Sequence, residues 1–201
     1  ILIKFGDWND SLTAVGKEGK GESVWLSEAY AEAVREMAEL AVHEKDKARE
    51  QDYLARYERI KTAINSKAWD GNWYLRAFAD CGEEIGGKAC GECRIDLISQ
   101  AWAALAELDE RRVEAALSSA RDALFDREAG VIKLLTPPFT GTERDPGYIA
   151  SYPPGVRENG GQYTHAACWY LLALAMRGDV DEAREALRAL LPASRARDRA
   201  A

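Results

Sequence analysis

The sequence predicts an all-α chain, with six helices paired as three hairpins and with long loops and short β segments between them. Apolar residues recur at helical spacing in six separate stretches. Short polar or glycine-containing turns join those stretches in pairs. Segments rich in glycine, proline and aromatic residues, long for loops in a compact domain, lie between the pairs. Six such helices would make half of a twelve-helix toroid. A free-standing helical bundle or a solenoid fragment satisfies the same periodicity.

The first helix is expected from Glu22 to about Lys45, through Val24, Leu26, Tyr30, Ala33, Val34, Met37 and Leu40. A charged connection at Glu44-Lys45-Asp46-Lys47 leads to a second, Gln51 to about Trp69, through Leu54, Tyr57, Ile60, Ala63 and Ile64. Asn72-Trp73-Tyr74-Leu75-Arg76-Ala77-Phe78 reads as a short extended segment before a glycine-rich stretch from Cys81 to Gly91. Ile95 to about Leu108 and Arg111 to about Leu124 form the next pair, split at Asp109-Glu110. Gly130-Val131-Ile132-Lys133-Leu134-Leu135 reads as a short strand, and Thr136-Pro137-Pro138-Phe139 opens a long loop running to about Gly161. The last pair spans about Gln162 to Met176 and Asp181 to Leu191, separated by Arg177-Gly178-Asp179. The repeating unit is roughly 60 to 70 residues without clear sequence identity.

A chain of 201 residues that is 47% apolar can bury a core of its own. The net charge of -7 leaves no basic surface for neutralising phosphates, which excludes nucleic acid as a partner. No apolar run approaches the roughly 20 residues of a membrane span. Ile1-Leu2-Ile3-Lys4 is neither a signal peptide nor an initiator methionine, so the chain reads as the soluble tail portion of a longer, cytoplasmic protein. Cysteines at 81, 90, 93 and 168 are too unevenly placed for a disulfide scaffold and are expected reduced. The spacing of Cys90 and Cys93 suggests zinc, but no fourth ligand is evident and His43 is far away in sequence, so no metal is expected. Trp25, Trp102 and Trp169 sit in helical patterns and are read as core rather than as sugar platforms.

Two stretches carry candidate chemistry. Gly6-Asp7-Trp8-Asn9-Asp10 sets two carboxylates and an indole within four residues. A carboxyl beside an aromatic ring can be desolvated and keep its proton for a glycosidic oxygen, while the ring stacks on a sugar. The alternative is an Asp-rich loop that caps the helix beginning near Glu22. The second stretch, Tyr152 to His165, places Arg157, Glu158, Asn159, Gln162 and His165 within nine positions at the mouth of a helix. Free N–H groups and the helix dipole favour an anion there, and a phosphate would fit. The alternative is a glycine-rich connection with His165 capping locally.

At these stretches the sequence resembles glycoside hydrolase family 94, the cellobiose, chitobiose and β-oligoglucan phosphorylases with the phosphorylase-like part of cyclic β-1,2-glucan synthases. The resemblance runs through Gly6 to Asp10, Gly21-Glu22-Ser23-Val24-Trp25-Leu26, Trp73 to Ala77, Glu92 to Ile98, Pro137-Pro138-Phe139, Asp145-Pro146-Gly147-Tyr148-Ile149 and Tyr152 to His165. It implies that residues 1–191 are part of an (α/α)6 catalytic barrel; where the family usually continues, residues 192–201 depart from it and read as a frayed, charged tail. It further implies an inverting transfer of a β-linked glucosyl unit to inorganic phosphate, a co-substrate, giving an α-sugar 1-phosphate with no other cofactor. By this resemblance Asp10 is the general acid, and Trp8, Asp7, Glu158, Arg157 and Gln162 are substrate-binding. His165 and Thr164 would hold phosphate, an anion that needs no catalytic base.

The family's preceding domain and first half of the barrel, which supply further phosphate and sugar ligands, are not in this sequence. Half a barrel leaves an apolar flank, so self-association is expected, and a homodimer is the expected form of the full-length protein. Two other functions remain open: a phosphorylase-like domain of a cyclic β-1,2-glucan synthase and a non-catalytic carbohydrate-binding half-barrel.

Overall fold

The structure, a computed structural model, describes residues 1–196. In chain order it runs β1 (Glu22–Ser23), α1 (Val24–His43), α2 (Lys47–Lys67), β2 (Ala77–Phe78), β3 (Glu84–Ile85), β4 (Ile95–Asp96), α3 (Leu97–Leu105) and α4 (Glu110–Leu124). There follow β5 (Phe125–Asp126), β6 (Val131–Ile132), β7 (Leu135–Thr136), a 3-10 turn at Tyr148–Ser151, α5 (Thr164–Arg177), α6 (Val180–Leu190) and α7 (Pro192–Ala196). The all-α expectation holds, since every strand is two residues long.

Side chains fix where the first helices begin. Ser23 accepts from the Leu26 N–H, Asp46 from Arg49, Asp96 from Ile98 and Asp109 from Arg112, each satisfying a donor that the first turn leaves orphaned. Asp46 is why α2 starts at Lys47, inside the stretch read as a charged connection. Ile95–Asp96, expected to open the third helix, is instead β4, because its backbone pairs with Leu135 and Thr136. Likewise the single strand expected over Gly130 to Leu135 divides into β6, paired with β5, and β7, paired with β4. Within the expected extended segment from Asn72, only Ala77–Phe78 is strand, between β1 and β3. Pro192–Ala196 is a short helix where a frayed tail was expected, and residues 197–201 of that tail lie outside the described residues.

The helices pack as hairpins α1/α2, α3/α4 and α5/α6, with α3 between α1 and α5. Alanines allow the close approach: Ala31, Ala101, Ala103, Ala106, Ala116, Ala166, Ala167, Ala173 and Ala186 are fully buried. The outer helix α2 buries only Tyr57 and Ile64, and the Tyr57 hydroxyl donates to the carbonyls of Ala106 and Glu107 just after α3. Leu172 and Met176 on α5 and Leu187 on α6 are exposed. Among the described residues no helix is long and apolar enough to cross a membrane.

A second, smaller core lies under the loops and gathers Ile3, Leu12, Val15, Ala77, Ile85, Cys93, Leu135, Phe139 and Ile149. It draws from loop and strand segments spread from Ile3 to Ile149, so the loops before α1, α3 and α5 form one packed layer. Cys93 is part of that layer, Cys90 is buried and Cys81 exposed, and all three are free thiols.

Candidate active site

The loop at Gly6 to Asp10 is sorted into an inward and an outward set. Gly6 takes φ +133°, a conformation that L side chains rarely adopt. Asp7 turns inward: both of its oxygens accept from the Arg76 guanidinium at 2.7 and 2.6 Å, and it also accepts from Ser23 Oγ at 2.5 Å and the Asn9 N–H at 2.9 Å. Asn9 is buried too, its Oδ1 accepting from Ser11 N–H and Oγ. With residues 7 and 9 anchored inside, the neighbours Trp8 and Asp10 reach the outer face, where Trp8 is half-buried and Asp10 exposed.

This corrects the expectation that Asp7 binds substrate. Its side chain is 0% exposed and its lone pairs are occupied within the protein. Burial alone would raise its pKa, but the Arg76 charge and hydrogen bonds, helped by Ser23 and Asn9, hold it below the ordinary value. Asp7 is therefore the anchor that aims its neighbours.

Asp10 meets a residue from the far loop. The Tyr148 hydroxyl donates to Asp10 Oδ1 at 3.2 Å. Burial, followed by the Asp10 hydrogen bond and charge, raises the Tyr148 pKa, which keeps the phenol a donor. The two loops dock through backbone: Ile149 N–H donates to the Ser11 carbonyl and Tyr148 N–H to Thr13 Oγ1. Gly147 makes this possible, since it has φ +100° and a Cβ there would run into Thr13 N and Oγ1.

Trp8 meets the start of α5. Its indole N–H donates to His165 Nδ1 at 3.0 Å, joining the two motifs across 157 residues of sequence. The ring packs edge-on against Tyr163 at 5.1 Å and Trp169 at 5.5 Å. Trp169 continues the row to Trp102 and Trp25. These tryptophans pack against the main core, as expected, yet they also connect it to the candidate site.

The segment from Tyr152 to His165 is pinned by Asn159, which is fully buried. Its Oδ1 accepts from the Phe139 N–H, and its Nδ2 donates to the carbonyls of Phe139 and Tyr152. Glu158 is 4% exposed; its Oε2 lies 3.4 Å from Arg157 Nε and has no hydrogen-bond partner. Arg157 itself, at φ +52°, is exposed and lies over the Tyr152 ring. Gln162 Oε1 accepts from the Ile132 N–H of β6, so this side chain holds the loop to the sheet. Thr164 and His165 are exposed at the first turn of α5, a helix with no side-chain N-cap.

Beneath the site lies a buried charge cluster. Arg76 is wholly buried, paired with Asp7 and 3.5 Å from Asp96. Burial pushes Asp96 up to about 6 from 3.8, against the pull of Arg76. Glu28 on α1 is fully buried with neither carboxylate oxygen hydrogen-bonded, and burial raises it well above its usual value. A carboxyl whose pKa is raised by folding favours the fold while protonated, and that contribution is lost as pH rises through the folded value. Asp96→Asn, which keeps the N-cap acceptor but cannot ionise, should therefore gain on wild type by roughly 2 to 3 kcal/mol as pH rises from about 4 to above 6. Thermal melts of both proteins across that window test this; an unchanging difference rules it out.

Sequence reading assigned no role to Arg76, Tyr148, Asp96 or Tyr163. The available signal was an arginine between Leu75 and Ala77, in an apolar run that would bury it with a carboxylate.

Comparison with known proteins adds a finding of a different kind. Residues 1–200 match the family described as "Glycosyl hydrolase 94 superfamily, catalytic domain". The cyclic β-(1,2)-glucan synthase NdvB of Rhizobium meliloti is 44% identical over 196 residues, which cover 97% of this chain and 7% of that protein. Solabiose phosphorylase of Paenibacillus borealis is 39% identical over 199 residues, 98% of this chain and 26% of that enzyme. An N,N'-diacetylchitobiose phosphorylase of Vibrio furnissii is 31% identical over 189 residues, 92% of this chain and 23% of that enzyme. The chain thus spans from 7% to 26% of the length of these relatives.

Proposed function

Since the chain belongs to the glycosyl hydrolase 94 superfamily and lies in its catalytic domain, we propose that it supplies the acid-bearing side of an inverting phosphorylase site for β-linked glucosides. The observation that carries this reading is the Trp8 to His165 hydrogen bond, which sets the acid loop beside an uncapped helix N-terminus.

In this reading Asp10 gives its proton to the glycosidic oxygen as the bond from that oxygen to the anomeric carbon breaks. A phosphate oxygen attacks the same carbon from the opposite face, forming the α-sugar 1-phosphate and releasing the acceptor sugar as an alcohol. Phosphate arrives as an anion, so the step needs no second carboxylate as base. His165, Thr164 and the first N–H groups of α5 hold it. The Trp8 ring and the free edge of Glu158 line the sugar subsite, with Arg157 as the counter-charge of Glu158. Gln162 acts indirectly, through the loop it ties to β6.

The 44% identity to a glucan synthase favours a second reading, a phosphorylase-like domain working on β-1,2-glucan within a larger synthase. One experiment addresses both readings. The full-length parent is incubated with β-linked disaccharides and with β-1,2-glucan, with and without phosphate. Sugar 1-phosphate formed only with phosphate supports the proposal, and the accepted substrate chooses between the readings. Consumption that ignores phosphate, or sugar binding by calorimetry without turnover, rejects both.

A further inference from the structure

We infer that Trp8 is a positioning residue for the phosphate side of the site. Its indole N–H holds His165 in the tautomer protonated on Nε2, so that Nε2–H is the histidine's donor to a phosphate oxygen. The phosphate clause rests on the function proposed above; the tautomer rests on geometry alone.

An indole nitrogen is a donor and never an acceptor. At 3.0 Å from it, His165 Nδ1 must therefore present a lone pair. A neutral imidazole has one N–H, so the proton is on Nε2, on the other side of the ring. Protonating Nδ1 would set one N–H against another and break the contact. Turning the ring over would replace Nδ1 with a carbon and lose the bond as well.

The ring is also held by Trp169. Its centroid lies 4.2 Å from that of His165, with the two rings tilted by 47°, so a hydrogen bond and a ring contact together hold the side chain. Trp8 in turn packs against Tyr163 and Trp169, and its chain neighbours Asp7 and Asn9 are anchored inside. The orientation of His165 therefore traces back to the buried Arg76 through Asp7 and the loop. The tautomer supplies phosphate with a donor that needs no charge on the ring, next to the N–H groups of α5.

The chain has two histidines, His43 and His165, so a His43→Gln variant leaves His165 as the source of the imidazole nitrogen signals in a uniformly 15N-labelled sample. A nitrogen–nitrogen correlation across the hydrogen bond should link the Trp8 indole N–H to an unprotonated His165 Nδ1, with Nε2 protonated. No such correlation, or a protonated Nδ1, overturns the inference without recourse to activity.

The second arm uses the full-length parent. A glutamine amide nitrogen falls near the place of Nε2 and an asparagine nitrogen near that of Nδ1. His165→Gln is therefore expected to raise the phosphate KM less than about threefold, and His165→Asn about 10- to 100-fold, with the larger change in KM rather than kcat. Trp8→Phe should likewise raise the phosphate KM more than it lowers kcat. Asparagine serving as well as or better than glutamine overturns the assignment of Nε2. A parent whose turnover ignores phosphate overturns the phosphorylase reading, and the phosphate clause with it, while the nitrogen correlation still decides the tautomer.

Discussion

Arg76→Met is expected to destabilise the chain by about 3 to 5 kcal/mol, a large part of the roughly 5 to 15 kcal/mol that a domain has. The substitution leaves Asp7 buried at 0% side-chain exposure without its bidentate partner, and Asp96 without the cation 3.5 Å away. Glu28 loses the one charge that lowers its pKa. Three buried acids would then share no cation, and water cannot reach them to compensate. Urea or thermal denaturation followed by circular dichroism measures the loss. Arg76→Lys should recover part of it, because an ammonium restores the charge but not the two-pronged geometry. Pairing Arg76→Met with Asp7→Asn should also recover part, because the uncompensated charge is gone. A single Arg76→Met variant that melts like wild type would show that the cluster is not what holds the loop.

Asp10→Asn is expected to lower kcat/KM of the full-length parent on an alkyl or sugar β-glucoside by about 100- to 10,000-fold, the range for loss of a general acid. Stability should barely change, because Asp10 is exposed and its side chain engages the Tyr148 hydroxyl. The chemical signature is dependence on the leaving group. From a nitrophenyl β-glucoside the nitrophenolate departs without protonation, so the variant should keep most of its activity on that substrate. Tyr148→Phe should produce a smaller loss with the same dependence, since it removes the hydrogen bond that orients the Asp10 carboxyl. Equal losses on both substrates, or none, would remove Asp10 from the role of acid.

What could be read from the sequence differs between elements for physical reasons. Helical periodicity located α1 to α6 because each buries one stripe, and the errors fell at the ends, where pairing across the chain decides. Ile95–Asp96 looks helical by pattern and is strand because Leu135 and Thr136 lie beside it. Asp7 and Asp10 illustrate the limit at the site. They are the same residue type, three positions apart in one loop, with no local feature to separate their roles. Arg76, 69 residues further along, draws Asp7 inside and so turns Asp10 outward. Tyr148 lies in the Asp145 to Ile149 stretch that carries the resemblance, yet its bond to Asp10 spans 138 residues and depends on Gly147 fitting against Thr13. Gln162 stands beside the expected phosphate position in sequence, and its carbonyl accepts from the Ile132 N–H of β6.

In the proposed site one acid, Asp10, faces a glycosidic oxygen while phosphate attacks from the opposite side. Proton and phosphorus NMR of the first product formed by the full-length parent from a β-glucoside and inorganic phosphate test it most directly. The expected result is an α-sugar 1-phosphate appearing as fast as the glucoside disappears, and none without phosphate. A β-sugar 1-phosphate, or free sugar released equally fast in the absence of phosphate, would contradict it.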